Sequence, residues 1–204
     1  MFFFAFWVFW GKKKTEKQLG YAADFCPICR RISAFRINRV GVAAHVYYVA
    51  LDDGQFVGHS QQCVTCMTNF NSNPNRFDCL ADTPDGSVEL LAEATFPSID
   101  QVFAERLALE ERIARDPHAL DPELRSSVLM EGFNLAASYF ENRAPETGMR
   151  ILIAALKPLA PSEEEVRDCL NHFRRIRAPI GGMVRTSTVM KKITWKPLTR
   201  QYEY

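Results

Sequence analysis

Glycine is scarce in this chain, ten in 204 residues. None of it forms a glycine-rich loop opening a helix, because Gly181-Gly182 follows a helical segment, so a phosphate cradle of the nucleotide-binding kind is excluded. A net charge is also missing: 25 basic residues against 24 acidic ones leave +1, which removes any global electrostatic argument for nucleic acid or an anionic membrane. The opening run MFFFAFWVFW is ten residues long, half of the roughly twenty that a bilayer-crossing helix needs. It has neither a basic leader nor a small-residue cleavage site, so it is expected to stay on the mature chain. Six cysteines are too few for a secreted disulfide scaffold. No internal repeat and no catalytic constellation is visible, and the chain is read as non-enzymatic.

What is present is the composition of a folded protein, 47% hydrophobic. Charge is distributed unevenly. Residues 1–40 carry eight Lys/Arg against Glu16 and Asp24, residues 78–124 carry twelve Asp/Glu against three arginines, and residues 167–204 turn basic again. Neighbouring surfaces that neutralise one another account for this pattern. The sharper reading is a basic face for a polyanion, built from Lys12, Lys13, Arg31, Arg36 and Arg39, with Lys14 and Arg30 nearby and Tyr47 or Tyr48 for base stacking.

Four of the six cysteines form two C-x-x-C pairs, Cys26/Cys29 and Cys63/Cys66, separated by 33 residues. Two such knuckles deliver four thiolates in a tetrahedron, the set that Zn²⁺ prefers, and a module of about seventy residues needs such a staple because its own core is marginal. One zinc ion per chain on Cys26, Cys29, Cys63 and Cys66 is the expectation; iron is the alternative, since four thiolates bind it in the same geometry. This cysteine usage fits a reducing, cytoplasmic compartment.

Between the knuckles, Arg31–Val40 and Ala43–Leu51 are rich in β-branched and aromatic residues, and Asp53-Gly54 supplies a turn into Gln55–Gln62, which together read as an antiparallel meander. The opening run, read as a strand, is apolar on both faces and calls for cover on both sides, with Trp7, Phe9 and Trp10 in a buried interface; contact with a membrane is the other use of such a segment. From Met67 to Pro97 the punctuation is that of loops, and the domain boundary is placed within it.

After Pro97 the period turns helical. Ser98 with Gln101 opens a segment ending near Arg115, Asp121-Pro122-Glu123 opens a second through about Asn142, a third covers roughly 146–156, and Ser162 followed by three glutamates caps a fourth through about Arg177. Val189, Ile193 and Trp195, two or four residues apart, suit a returning strand.

The N-terminal third resembles the small bacterial zinc-ribbon, rubredoxin-like family: an apolar strand ending Phe9-Trp10-Gly11-Lys12-Lys13, the knuckle Cys26-Pro27-Ile28-Cys29, a basic and aromatic strand, a hairpin, and Cys63-Val64-Thr65-Cys66. The resemblance covers about residues 1–70 and implies a ribbon with zinc and no activity. The sequence departs from the family in having Arg30 and Met67 where glycine commonly follows the second cysteine.

The expected fold is therefore α+β: a zinc-ribbon β-module over residues 1–75, a linker over 76–97, an α-helical domain over 98–180, and a tail over 181–204 with a strand. A protein partner or self-association is the expected mode of action. His59, Cys79, the pair Cys169 and His172, and Glu163, Glu164 and Glu165 are read as structural: a hairpin histidine, a core or loop thiol, a small hydrophobe beside a helix histidine, and a first-turn acidic cluster favoured by the helix dipole.

Overall fold

The computed structural model describes residues 10–47, 49–84, 86–116, 120–159 and 162–193. The fold is α+β, an antiparallel sheet followed by helices, and the chain divides into two compact units, Met1–Ala104 and Glu105–Tyr204. Of the apolar strand expected over residues 1–10, all but Trp10 fall outside the described residues, as does Trp195.

The first unit is built on two long strands, β1 (Trp10–Cys26) and β2 (Arg31–Val46), paired antiparallel from Trp10↔Val46 to Cys26↔Arg31, with a bulge between Gln18 and Gly20. Strand β3 (Val49–Ala50) pairs with the end of β2, and β4 (Gln55–Cys63) and β5 (Asn69–Asn71) complete the order β1-β2-β4-β5. The two strands expected over Arg31–Val40 and Ala43–Leu51 are largely one, because Gly41 does not turn the chain. A Cβ there would lie 2.2 Å from the Asp53 carbonyl, so glycine is needed for close approach of the neighbouring loop. The turn itself falls at Gly54, whose φ is +74°.

One sheet edge, β1, is covered by its own chain near the cysteine end, at Tyr21 and Ala23, which removes those backbone groups from solvent. Tyr21 and Ala81 exchange both backbone hydrogen bonds (2.7 and 2.9 Å), and the Ala23 N–H donates to the Thr95 hydroxyl (3.0 Å). Thr95 ends α1 (Val88–Thr95), whose Ser87 cap accepts from the Leu90 N–H. This helix is a short element that the loop-like stretch from Met67 to Pro97 leaves room for, and the compact unit runs on through α2 (Ile99–Val102) to Ala104. Ala22, Ala23, Phe35, Ile37, Phe77, Leu91 and Ile99 form the core of the unit.

In the second unit Asp121 and Ser162 open helices where the sequence puts them, whereas the single segment expected from Ser98 to near Arg115 is broken at Phe103, and Ser98 makes no side-chain capping hydrogen bond. The helices are α3 (Ala104–Arg115), α4 (Pro122–Glu141), α5 (Pro145–Leu159) and α6 (Glu163–Ile176). Asp121 caps α4 through the Leu124 N–H, and Ser162 caps α6 through the Glu165 N–H. Buried Phe133, Phe140, Leu152, Leu156, Leu170 and Phe173 make the core. After α7 (Ala178–Gly181), the described part of the segment expected as a returning strand is instead helical, α8 (Thr186–Lys192). Val189 and Ile193 are four apart, a spacing that serves one helix face as well as a strand, and both are buried. No helix among the described residues is long and apolar enough to cross a membrane.

Thr95 offers a direct check on the edge cover. Its hydroxyl accepts from Ala23 and donates to the Leu91 carbonyl at 2.7 Å, fully buried. Thr95→Val keeps the shape and orphans the Ala23 N–H, so chemical denaturation should show a loss of about 1–3 kcal/mol; an unchanged midpoint would show that the edge is not held this way.

Candidate metal centre

Two turns build the centre, and they share one geometry. Cys26 ends β1 and Cys63 ends β4, the two strands that flank β2. Each cysteine carbonyl accepts from the N–H four residues on, Cys26 from Arg30 (2.6 Å) and Cys63 from Met67 (2.9 Å). Arg30 and Met67, the residues that stand in the usual glycine positions, have φ of 59° and 56°. The left-handed conformation that glycine takes without strain is thus imposed on two larger side chains, at roughly 1–3 kcal/mol each. Backbone N–H of Cys29 also points at the Cys26 sulfur, 3.4 Å away.

The four Sγ atoms lie within 4.8 Å of one another, with Cys26···Cys66 at 3.7 Å and Cys29···Cys63 at 3.8 Å. A disulfide would bring sulfurs to about 2.05 Å, whereas a tetrahedral ion with metal–sulfur bonds of about 2.3 Å sets its ligands about 3.8 Å apart. The residues therefore fit a metal ion such as zinc or iron. Cys26 and Cys63 are fully buried, and Cys29 and Cys66 partly so.

Thiol electrostatics follow from the crowding. The hydrogen bond between Cys26 and Cys63 pushes the Cys26 thiol far above its usual range and pulls Cys63 down to about 4, while burial pushes Cys29 up to about 11. Without metal, Cys26 keeps its proton, Cys63 gives its proton up readily, and burial disfavours charge on Cys29. A divalent ion reverses that balance by deprotonating its ligands.

Sequence reading missed the polar tie beneath the centre. Asp24, two residues before Cys26, accepts from Gln61, two residues before Cys63, at 2.9 Å. It also accepts from the Phe25 N–H (2.8 Å) and from Arg76 (3.0 Å), and Gln61 in turn accepts from Ser72. Arg76 sits over the rings of Phe77, Phe96 and Phe103 at 5.4–5.8 Å. Asp24 is 2% exposed. Burial raises its pKa, against the opposing pull of Gln61, Arg76 and the Phe25 amide. An acid at an inward position of an otherwise apolar stretch, Tyr21-Ala22-Ala23-Asp24-Phe25, was the available signal.

The basic residues proposed as one face are divided. Lys13 lies opposite Ala43, on the side of the sheet that carries Arg31 and Arg39, whereas Lys12 lies opposite Ala44, on the side of Arg36. Arg39 donates to the Asp53 and Gly54 carbonyls at 3.0 Å each, and Arg36 to Gln62. His59 packs against Phe56 and is not among the clustered ligands. Cys79 is exposed and donates to the Ala94 carbonyl. Glu163 and Glu165 are paired with Arg167 and Arg125. Compared with family models, curated proteins and solved structures, the chain has no significant match to any of the three.

Because Cys26 and Cys29 hold their protons at neutral pH, metal binding must expel at least those two. Calorimetric zinc titration at pH 7 in buffers of different ionisation enthalpy should report two or more protons released, with apparent affinity rising roughly a hundredfold per pH unit. Release of fewer than two would contradict this protonation pattern.

Proposed function

We propose that this chain is a non-enzymatic scaffold whose first unit is a rubredoxin-like zinc ribbon, with one structural Zn²⁺ on Cys26, Cys29, Cys63 and Cys66, acting in the cytoplasm through contact with a protein partner or a second copy of itself. The observation that carries this reading is closure: four cysteine sulfurs, all from the chain, gather around one point. A catalytic zinc keeps a position open for water or substrate, and four protein ligands leave none. Zinc also has no redox chemistry, which suits a site that fastens two strand ends.

Support for a docking role comes from the end of the sheet remote from the cysteines. There Tyr47, Val49 and Leu51 are 50%, 67% and 67% exposed, with Phe56 and Val57 also exposed nearby on β4. Several large apolar side chains left in water at one end of a β-ribbon are the usual mark of a contact surface. The basic residues give nucleic acid less purchase, since they are split between two sides of the sheet and two of the arginines are already engaged.

Native mass spectrometry of the purified chain with elemental analysis tests the reading in one experiment. One zinc per chain is the expected result. Iron would move the protein to electron transfer, and a metal-free chain with intact thiols would overturn the proposal.

A further inference from the structure

Helices α4 and α6 are tied together at either end of a groove. One tie is the Arg125–Glu165 ion pair (2.8 Å), the other the edge contact of Phe133 on Phe173 (5.3 Å between ring centres). From Arg125 to Phe133 is eight residues, and from Glu165 to Phe173 is also eight, so each helix spans about 12 Å between the ties. The space is an open groove of about 580 Å³, within the range of small-molecule sites. Its α4 side carries the apolar run Leu129, Met130 and Phe133 beside Ser126 and Arg125, with Leu120 and Pro122 at one end. Its α6 side is polar: Asp168, Cys169, His172 and Arg175.

The charges on that rim are not equivalent. Arg125 is occupied, its Nε on the Leu159 carbonyl and its Nη2 on Glu165, both at 2.8 Å. Arg175 and His172, three residues apart on one helix face, have no hydrogen bond or ion pair among the described residues and are exposed. Asp168 is also unpaired but lies seven residues, about 10 Å, from Arg175 along the helix. An anionic head thus has two donors at one end, with the Asp168 carboxylate one turn from His172 and two turns from Arg175. Cys169, between Asp168 and His172, is kept as a neutral thiol by burial above all and is part of the wall.

We propose that this groove binds a small amphipathic anion, its apolar body along Leu129, Met130 and Phe133 and its carboxylate or comparable oxyanion head on Arg175 and His172. Phe133 supplies a flat buried floor and Met130 an adaptable one. The Arg175 guanidinium presents two donors to the head in a planar fork.

Cys169 reports occupancy. Alkylation of the full chain by iodoacetamide, followed by peptide mass mapping, is compared for Cys169 and exposed Cys79 with and without laurate below its micellar concentration. Laurate should slow modification of Cys169 saturably and leave Cys79 unchanged. Dodecanol and dodecyltrimethylammonium should protect roughly tenfold more weakly, the difference expected for one charge-assisted contact. Arg175→Gln should reduce laurate to the level of dodecanol, and Arg175→Lys should keep part of the preference; neither disturbs a contact of the fold. The proposal is overturned if none of the three amphiphiles protects Cys169, if the cationic one protects best, or if Arg175→Gln leaves the preference for laurate intact.

Discussion

Everything in the first unit answers to one constraint: the sulfurs of two distant C-x-x-C pairs must reach a single point. Cys26 and Cys63 satisfy it because β1 and β4 flank β2 and end on the same side of the unit. The long β1–β2 pairing carries the first knuckle to that end, and the β2–β4 pairing brings the second, with Phe35 directly opposite Cys63. The sheet and the four-cysteine cluster are therefore one device. Pairing without ligation leaves four crowded thiols, and ligation without pairing must hold two otherwise unrelated turns.

Beneath the sulfurs the strands are clamped a second time. The Asp24–Gln61 bond repeats, two residues inward, the join that the cysteines make, and Arg76 ties it to an aromatic cluster of Phe77, Phe96 and Phe103. A buried carboxylate is costly to desolvate unless its partners surround it; three donors do so here. The left-handed backbone at Arg30 and Met67 belongs to the same arrangement. Strain of that kind persists only where the surroundings over-determine it, and the paired strands with their cross-tie provide that.

The cysteines were legible from spacing alone, because two knuckles at metal-ligand spacing have few other uses. The helices α4 and α6 were legible from Asp121 and Ser162, whose side chains cap them. What escaped was of a different physical kind. Strand β1 runs through Lys12, Lys13, Lys14, Glu16 and Lys17, residues with no strand preference, and it is fixed by pairing to β2 over its full length. Gly41 reads as a break and is a close approach. Val189 and Ile193 fit either period, and burial in a helical unit chose the helix. The Asp24–Gln61 tie links residues 37 apart, a pairing that depends on register and leaves no local trace.

The central claim is a closed, all-thiolate metal centre. X-ray absorption at the metal edge of the purified full-length chain addresses it most directly, since it counts and identifies the coordinating atoms. A zinc edge with four sulfur scatterers at about 2.3 Å and no nitrogen or oxygen in the first shell is the expected spectrum. A shell containing nitrogen or oxygen would open the site to water or substrate and contradict the structural role, and the absence of bound metal would contradict the centre itself.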